Sequence, residues 1–457
     1  MSSIAKSCAS LESRSSKFTV EALAGVLPQP WLHEAILESG RSSERVRRLP
    51  AELTLWLVIL LGLFRRHSYV NLLGMLFETG RNQRLWANKG APPSSTAFTK
   101  ARDRLGVKPL RLLFERSAHE WSSASGGQYF HGRRVFAMDG MTLRLPDTKE
   151  NHDAFGRPAV GRGCASHPQL RMVTLRDVGT RLCRSAHFGP YNNSEVRLAQ
   201  APLQDLESGD LVILDRNFVS YALLWGIHRR GVDFVVRAKR NLRFEIVKRI
   251  ATGDEIVRVR PDRHLRKKHP ELPKEWLLRR ITYRPEGAEE DIVLLTTLTD
   301  SEEISASEIS TIYPLRWEEE TGYDELKTHL CDTTTVTQPT MLRSKKPKRI
   351  EQELYGVLLA YNAVRATIAR AAPRANIVHP APAQRLSFVH ALLRMREAVR
   401  DMMQAATRRL RERYEQLLDA VARKVVRLRP GRRYPRAVKR KMSSYPVKPP
   451  PAHALSP

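Results

Sequence analysis

The chain has 457 residues and carries 77 Lys+Arg against 48 Asp+Glu, a surplus of +29. Its 42 % hydrophobic content excludes a wholly disordered chain, and its length suggests several domains rather than one small core. So large a positive charge points to a polyanionic partner, most often nucleic acid.

The longest apolar run, Leu53 to Phe64, has 12 residues. A bilayer span needs about 20, and Arg65 and Arg66 follow at once, so the run reads as a buried helix. The N-terminus lacks an apolar signal core. The four cysteines lie far apart with no C-x-x-C pair. They give neither a disulfide framework nor a zinc ribbon and fit a reducing compartment. A cytoplasmic location without membrane association is expected.

Residues 1–125 read as a helical N-terminal DNA-binding domain. Leu53–Phe64 is followed by a helical pattern over Tyr69–Thr79. After a turn at Gly90–Thr96, the segment Ala97–Leu105 reads as a helix with Lys100, Arg102 and Arg104 on its outside. Gly126-Gly127 marks a linker. Strands are then expected at Arg134–Asp139, Leu170–Asp177, Arg181–Phe188, Leu211–Asp215 and Asp233–Lys239. Helices are expected at Ser194–Leu206 and Ser220–Arg230. This order implies an α/β mixed sheet covered by helices. Residues 126–240 form the first part of that core.

Residues 241–304 read as a β-rich insertion. Its short strands are Phe244–Lys248, Glu255–Val259, Trp276–Tyr283 and Asp291–Leu298, with a polar linker at Arg263–His269. Trp276, the insertion's only Trp, reads as a packing residue. Helical pattern resumes over 305–400. Residues 401–457 form a C-terminal helix and a basic tail. From Val421 onward there is no Asp or Glu and there are eleven Lys/Arg, including Lys439-Arg440-Lys441. Such a run serves as a phosphate-neutralising tail.

Three carboxylates stand out. Asp139 sits inside a strand, where Asp is locally unfavourable, before Gly140. Taken alone it reads equally well as a bulge residue. Asp215 ends an apolar strand, where α/β sheets place ligand sites; a turn Asp is the plain alternative. Glu320 lies in Tyr313-Pro-Leu-Arg-Trp-Glu-Glu-Glu-Thr-Gly-Tyr-Asp-Glu-Leu-Lys327. As one helix, this segment would line Tyr313, Arg316, Glu320 and Lys327 along one face. Alone, that face reads as a solvated Arg316–Glu320 pair. Together, three carboxylates in a basic protein suit divalent cations acting on a phosphodiester. The scattered His residues show no ligand spacing.

Tyr313-x2-Arg316-x3-Glu320-x6-Lys327 resembles the Y-R-E-K motif of DDE transposases of the insertion-sequence 4 family. Asp139 with Gly140, and Asp215 in Leu-Asp-Arg-Asn-Phe, resemble that family's two Asp motifs. The resemblance implies a ribonuclease-H-like catalytic core interrupted by a β-rich insertion, with a helical N-terminal DNA-binding region. It implies that Asp139, Asp215 and Glu320 are catalytic and hold two Mg²⁺ ions, for which Mn²⁺ can substitute. Tyr313, Arg316 and Lys327 would contact DNA phosphates, as would Arg216 and Asn217. The implied activity is cut-and-paste transposition, by hydrolysis and strand transfer at inverted terminal ends. Double-stranded DNA, at the element's ends and in the target, would be the partner. A homodimer in the DNA complex and association with the nucleoid are further expectations. The rival reading is an inactive or repurposed transposase-derived DNA-binding protein.

Overall fold

The computed structural model describes residues 25–43, 47–77, 92–160, 163–240, 242, 244–286, 288–331, 342–404, 409–427 and 447–448. The chain divides into two units. One comprises Met1–Gly126, Leu143–Leu170 and Asp324–Pro457; the other comprises Gly127–Thr142 and Arg171–Tyr323. The first division falls at the expected linker, Gly126-Gly127. Among the described residues no helix is long and apolar enough to cross a membrane.

The first unit begins with helices α1 (Gln29–Glu38), α2 (Ala51–Leu63), α3 (Tyr69–Phe77), α4 (Ser95–Leu105) and α5 (Lys108–Ala124). Apolar residues on every side of α2 leave it no solvent face, and it is buried from Glu52 to Leu63. Ser94 caps α4 by accepting from the Ala97 amide. Residues 78–91, including part of the expected turn, lie outside the described residues.

The expectation that Arg102 faces outward is corrected. Its side chain is buried. Its guanidinium donates to the Gln352 side-chain oxygen at 3.1 Å, the Tyr69 hydroxyl at 2.6 Å and the Arg349 carbonyl at 2.9 Å. A buried cation persists where oxygens replace its water. A helical period cannot show that two of those oxygens lie more than 240 residues away.

The second unit is a ten-stranded sheet. Its strands are β1 (Tyr129–Phe130), β2 (Arg133–Arg144), β3 (Gln169–Asp177), β4 (Cys183–Pro190), β5 (Leu211–Leu214), β6 (Asp233–Arg237), β7 (Glu245–Ala251), β8 (Asp254–Val259), β9 (Trp276–Tyr283) and β10 (Ile292–Thr296). The spatial order is β4-β3-β2-β5-β6-β10-β9-β8-β7, with β1 paired to β2. Strand β5 runs parallel to both β2 and β6, whereas β10 is antiparallel to β6 and β9. The expected mixed α/β sheet is therefore present.

The apolar run Leu211–Leu214 is explained by burial on both faces. Val212 and Leu214 join one core with Phe136, Met138 and Phe234, while Leu211 and Ile213 join another with Val135, Ala137 and Val235. Strands β7 to β10 continue the same sheet. Trp276 packs among Trp225, His228 and Phe234, with ring centroids 5.1–5.7 Å away. The polar stretch at Arg263–Lys268 forms a short helix capped by Asp262, not a linker.

Helices α6 (Tyr221–His228), α7 (Ala306–Ile312) and α8 (Trp317–Asp324) belong to this unit. The helix expected at Ser194–Leu206 is broken into Glu195–Leu198, capped by Ser194, and a 3-10 turn at Ala201–Asp205. Pro202 has no N–H to continue an α-helical ladder.

The first unit resumes with α9 (Pro347–Ala371), α10 (Phe388–Gln404) and α11 (Leu410–Ala422). Helices α2 and α9 meet backbone to backbone. A Cβ at Gly62 would lie 2.3 Å from the Gly356 carbonyl oxygen, and one at Gly356 would lie 2.6 Å from that of Val58. Gly62→Ala should therefore cost about 1–3 kcal/mol by forcing the helices apart, read as a lowered thermal midpoint. An unchanged midpoint would contradict this close approach. Of the basic end beyond residue 427, Val447–Lys448 pair antiparallel with Gly163–Ala165. Lys439-Arg440-Lys441 lies outside the described residues.

Candidate active site

The register of β2 against β5 decides where the two aspartates stand. Val135 to Met138 pair with Leu211 to Leu214 in parallel. Asp139 and Asp215 each follow the last residue of that ladder. They therefore lie side by side where the parallel pairing stops, Asp139 in the middle of β2 and Asp215 just beyond the end of β5, on strands that run about 4.8 Å apart.

Asp139 is largely buried and accepts the Gly140 amide at 2.7 Å. Burial pushes its carboxyl up to about 7, helped by the charges of Glu319 and Asp215 and opposed by the Gly140 hydrogen bond and Arg316. Asp215 caps the 3-10 turn Arg216–Phe218. It accepts the Asn217 backbone amide at 2.6 Å and the Asn217 side-chain amide at 3.2 Å. Asn217 thus orients Asp215, while Arg216 is exposed.

The motif segment is not one continuous α-helix, which corrects the single-face expectation. Tyr313–Arg316 is a 3-10 turn, Trp317–Asp324 is α8, and Glu325–Leu330 is π-helical. Each change of winding shifts the face that a fixed spacing marks. Lys327 falls in the π segment and in the other unit. Tyr313 is 7 % exposed and packs in the second core cluster. Burial pushes its phenol up to about 12.

Arg316 stands between carboxylates. It bonds Glu320 at 2.9 Å, lies 3.9 Å from Asp139, and stacks on the half-exposed Trp317 ring at 4.9 Å. The structure thus joins Asp139, Asp215, Arg316 and Glu320. Among the described residues no three acidic, His or Cys side chains converge closely enough to hold a metal ion. The Glu320 carboxylate is paired with the Arg316 guanidinium instead.

Sequence reading missed three partners of this site. Glu195 brings its carboxyl group beside Gly140, where a Cβ would lie 2.6 Å from it. Arg176 and Tyr323 bind Glu319 and the Asp139 backbone. The signal available for Arg176 was an arginine directly after the mostly apolar run Met172–Leu175.

Residues 130–363 match the transposase DDE domain, and residues 17–115 match the insertion element 4 transposase N-terminal domain. The chain therefore belongs to the DDE transposases, a family that cleaves DNA and transfers strands, and whose catalytic domain implies a ribonuclease-H-like fold. Within that family it is 30 % identical over 432 residues to transposase InsG for insertion sequence element IS4 of Escherichia coli (strain K12), covering 93 % of each chain. It is 27 % identical over 233 residues to the putative transposase InsZ of the same strain, covering 48 % of this chain and 72 % of that relative. A solved piggyBac transposase synaptic complex with hairpin DNA overlaps 89 % of this chain and 85 % of its own. The identity there is 14 % and the TM-score 0.37, too distant to bear on the site. The protein is a transposase.

Proposed function

We propose that this transposase moves an insertion sequence by cut-and-paste, through Mg²⁺-assisted phosphodiester hydrolysis and strand transfer, with Asp139, Asp215 and Glu320 as its catalytic carboxylates. The observation that carries this reading is that Asp139 and Asp215 stand side by side where the pairing of β2 with β5 stops, with Glu320 tied to Asp139 through Arg316.

The donor chemistry fits a hard divalent cation, because every group offered is a carboxylate oxygen. Burial raises Asp139 to about 7, so a cation there would displace its proton. When bound, such ions polarise the phosphodiester and neutralise developing charge. The protein's own groups do the rest. Asn217 holds the Asp215 carboxylate in one orientation. Arg316 can exchange Glu320 for a DNA phosphate oxygen, which releases Glu320 towards Asp139. Lys327 and Arg216 add charge along the strand. Tyr313, buried as it is, contributes through its hydroxyl alone.

The N-terminal helices are the proposed DNA-binding region. Arg41, Arg47 and Arg104 line a cavity of about 460 Å³ with Ser42 and Ser43, and no carboxylate lines it among the described residues. Burial and the neighbouring Arg47 lower Arg104 below the usual guanidinium value. Such a cluster is relieved by phosphate. Replacing Arg47 and Arg104 with Ala should reduce the slope of log affinity for DNA against log salt by about 0.9 for each lost phosphate contact. An unchanged slope would remove this region from the interface.

Residues 126–240 and 305–400 would supply the catalytic core, and 241–304, carrying β7 to β10, its β-rich insertion. A homodimer on paired ends gives one active site to each end, and action on DNA places the protein at the nucleoid. The test is strand transfer by the purified chain from DNA carrying the element's ends, with and without Mg²⁺. Binding without cleavage would identify an inactive DNA-binding relative.

A further inference from the structure

Helix α8 opens with three consecutive glutamates, and each has a different partner. Glu318 pairs with Arg181. Glu319 is fully buried and accepts from the Arg176 guanidinium and the Thr174 hydroxyl, both on β3. Glu320 bonds Arg316. One turn after Glu319, the Tyr323 hydroxyl donates to the Asp139 carbonyl oxygen at 2.6 Å and lies 2.9 Å from the Thr174 hydroxyl. The Arg176 guanidinium packs over the Tyr323 ring at 5.5 Å and donates to the Arg181 carbonyl at 3.0 Å. Gly322 leaves room for it, since a Cβ there would lie 2.6 Å from the guanidinium.

Three adjacent glutamates create an ambiguity. Neighbouring residues on a helix point about 100° apart. A roll of α8 by that angle would present Glu319 instead of Glu320, and a small one already displaces the Glu320 carboxylate. Apolar packing tolerates such a roll, whereas directional hydrogen bonds do not. A buried ion pair adds little net stability over well-packed apolar residues, so geometry is what this one contributes.

We propose that Arg176, Glu319 and Tyr323 are positioning residues that fix the rotation of α8, and hence the place of the Glu320 carboxylate, relative to the Asp139 backbone. The inference rests on the reading of Asp139 and Glu320 as metal-binding carboxylates. None of the three residues touches the reacting atoms.

The test uses the full-length chain. Arg176→Met combined with Glu319→Leu replaces the pair with apolar groups of similar size, and Tyr323→Phe removes one hydroxyl. Mn²⁺ binding is followed by electron paramagnetic resonance, folding by the thermal midpoint, and strand transfer under single-turnover conditions. The double variant should keep its thermal midpoint within a few degrees and bind DNA as the parent does. Its Mn²⁺ dissociation constant should rise about 10–100-fold, as for outer-shell partners of metal ligands, and its single-turnover rate should fall at saturating DNA. Wild-type Mn²⁺ affinity and rate in that variant would overturn the proposal. If the double variant fails to fold, Tyr323→Phe decides: Mn²⁺ binding should weaken several-fold, and an unchanged constant overturns the proposal. Asp139→Asn separates the two readings. If it abolishes Mn²⁺ binding while the positioning variants bind normally, only the positioning role falls. If the parent shows no binding that Asp139→Asn removes, the carboxylate reading falls, and the positioning role with it.

Discussion

Replacing Asp139, Asp215 or Glu320 with Ala is expected to lower Mg²⁺-dependent cleavage of transposon-end DNA by on the order of 10³-fold or more. DNA binding should stay near the parent value. Metal-assisted charge stabilisation is worth several kcal/mol, and each 1.36 kcal/mol is a factor of ten in rate. Affinity for DNA comes from the many Lys and Arg contacts with phosphate and is separate from that term. Full cleavage by any of the three variants would remove that residue from the site. The same experiment has a pH axis. Asp139, raised to about 7 by burial and by neighbouring carboxylates, carries a proton below that value when no cation is bound. A metal must displace the proton, so apparent metal affinity should rise about tenfold per pH unit below 7 and level off above it. Because the folded carboxyl lies above the ordinary Asp value, it makes no stabilising contribution that acid would remove. Metal affinity that does not change between pH 5.5 and 7 would contradict the assignment of Asp139.

The second large effect is structural. Glu353→Ala should destabilise the chain by about 3–5 kcal/mol, because it leaves Arg65 buried without its carboxylate. Arg65 bonds Glu353 at 2.6 Å, and the same carboxylate accepts the amides of Arg343 and Ser344 at 2.9–3.1 Å and the Ser344 hydroxyl at 2.6 Å. Burial opposes the charge on Glu353, yet Arg65 and these donors outweigh it and hold the carboxyl down to about 2. A depressed carboxyl stabilises fully above its unfolded value of 4.5, and the gain is lost as pH falls from there towards 2. In thermal melts Glu353→Ala should therefore drop the midpoint by roughly 10 °C near neutrality. The difference from the parent should shrink in acid. Equal midpoints at pH 7 would show that the pair contributes nothing.

The sequence disclosed what depends on local pattern. The apolar run at α2, the both-faces-buried strand β5 and the two aspartates within or beside strand patterns follow from composition and period. Glu320 was legible only through the spaced motif, because nothing local separates it from Glu318 and Glu319. What separates them lies on β3, where Arg176 and Thr174 claim Glu319. Arg102 was misread for a related reason: two of its oxygens come from α9, far along the chain. Constant α-helical winding was assumed from Tyr313 to Lys327. Pro314 and the π segment break it, and spacing does not register a change of pitch.

The packing of Gly62 against Gly356 also sets a timetable. Helix α2 is apolar on all sides, and its backbone partner α9 begins roughly 280 residues later. At about 5–20 residues per second, a ribosome needs roughly 15–60 s to cover that distance. Throughout that interval the nascent α2 is covered only by its neighbours α1, α3 and α4 and lacks its largest partner. A message cut short anywhere before α9 yields a chain in which the α9-facing side of α2 stays uncovered. The native packing of α2 is therefore completed only after about three quarters of the chain has been made.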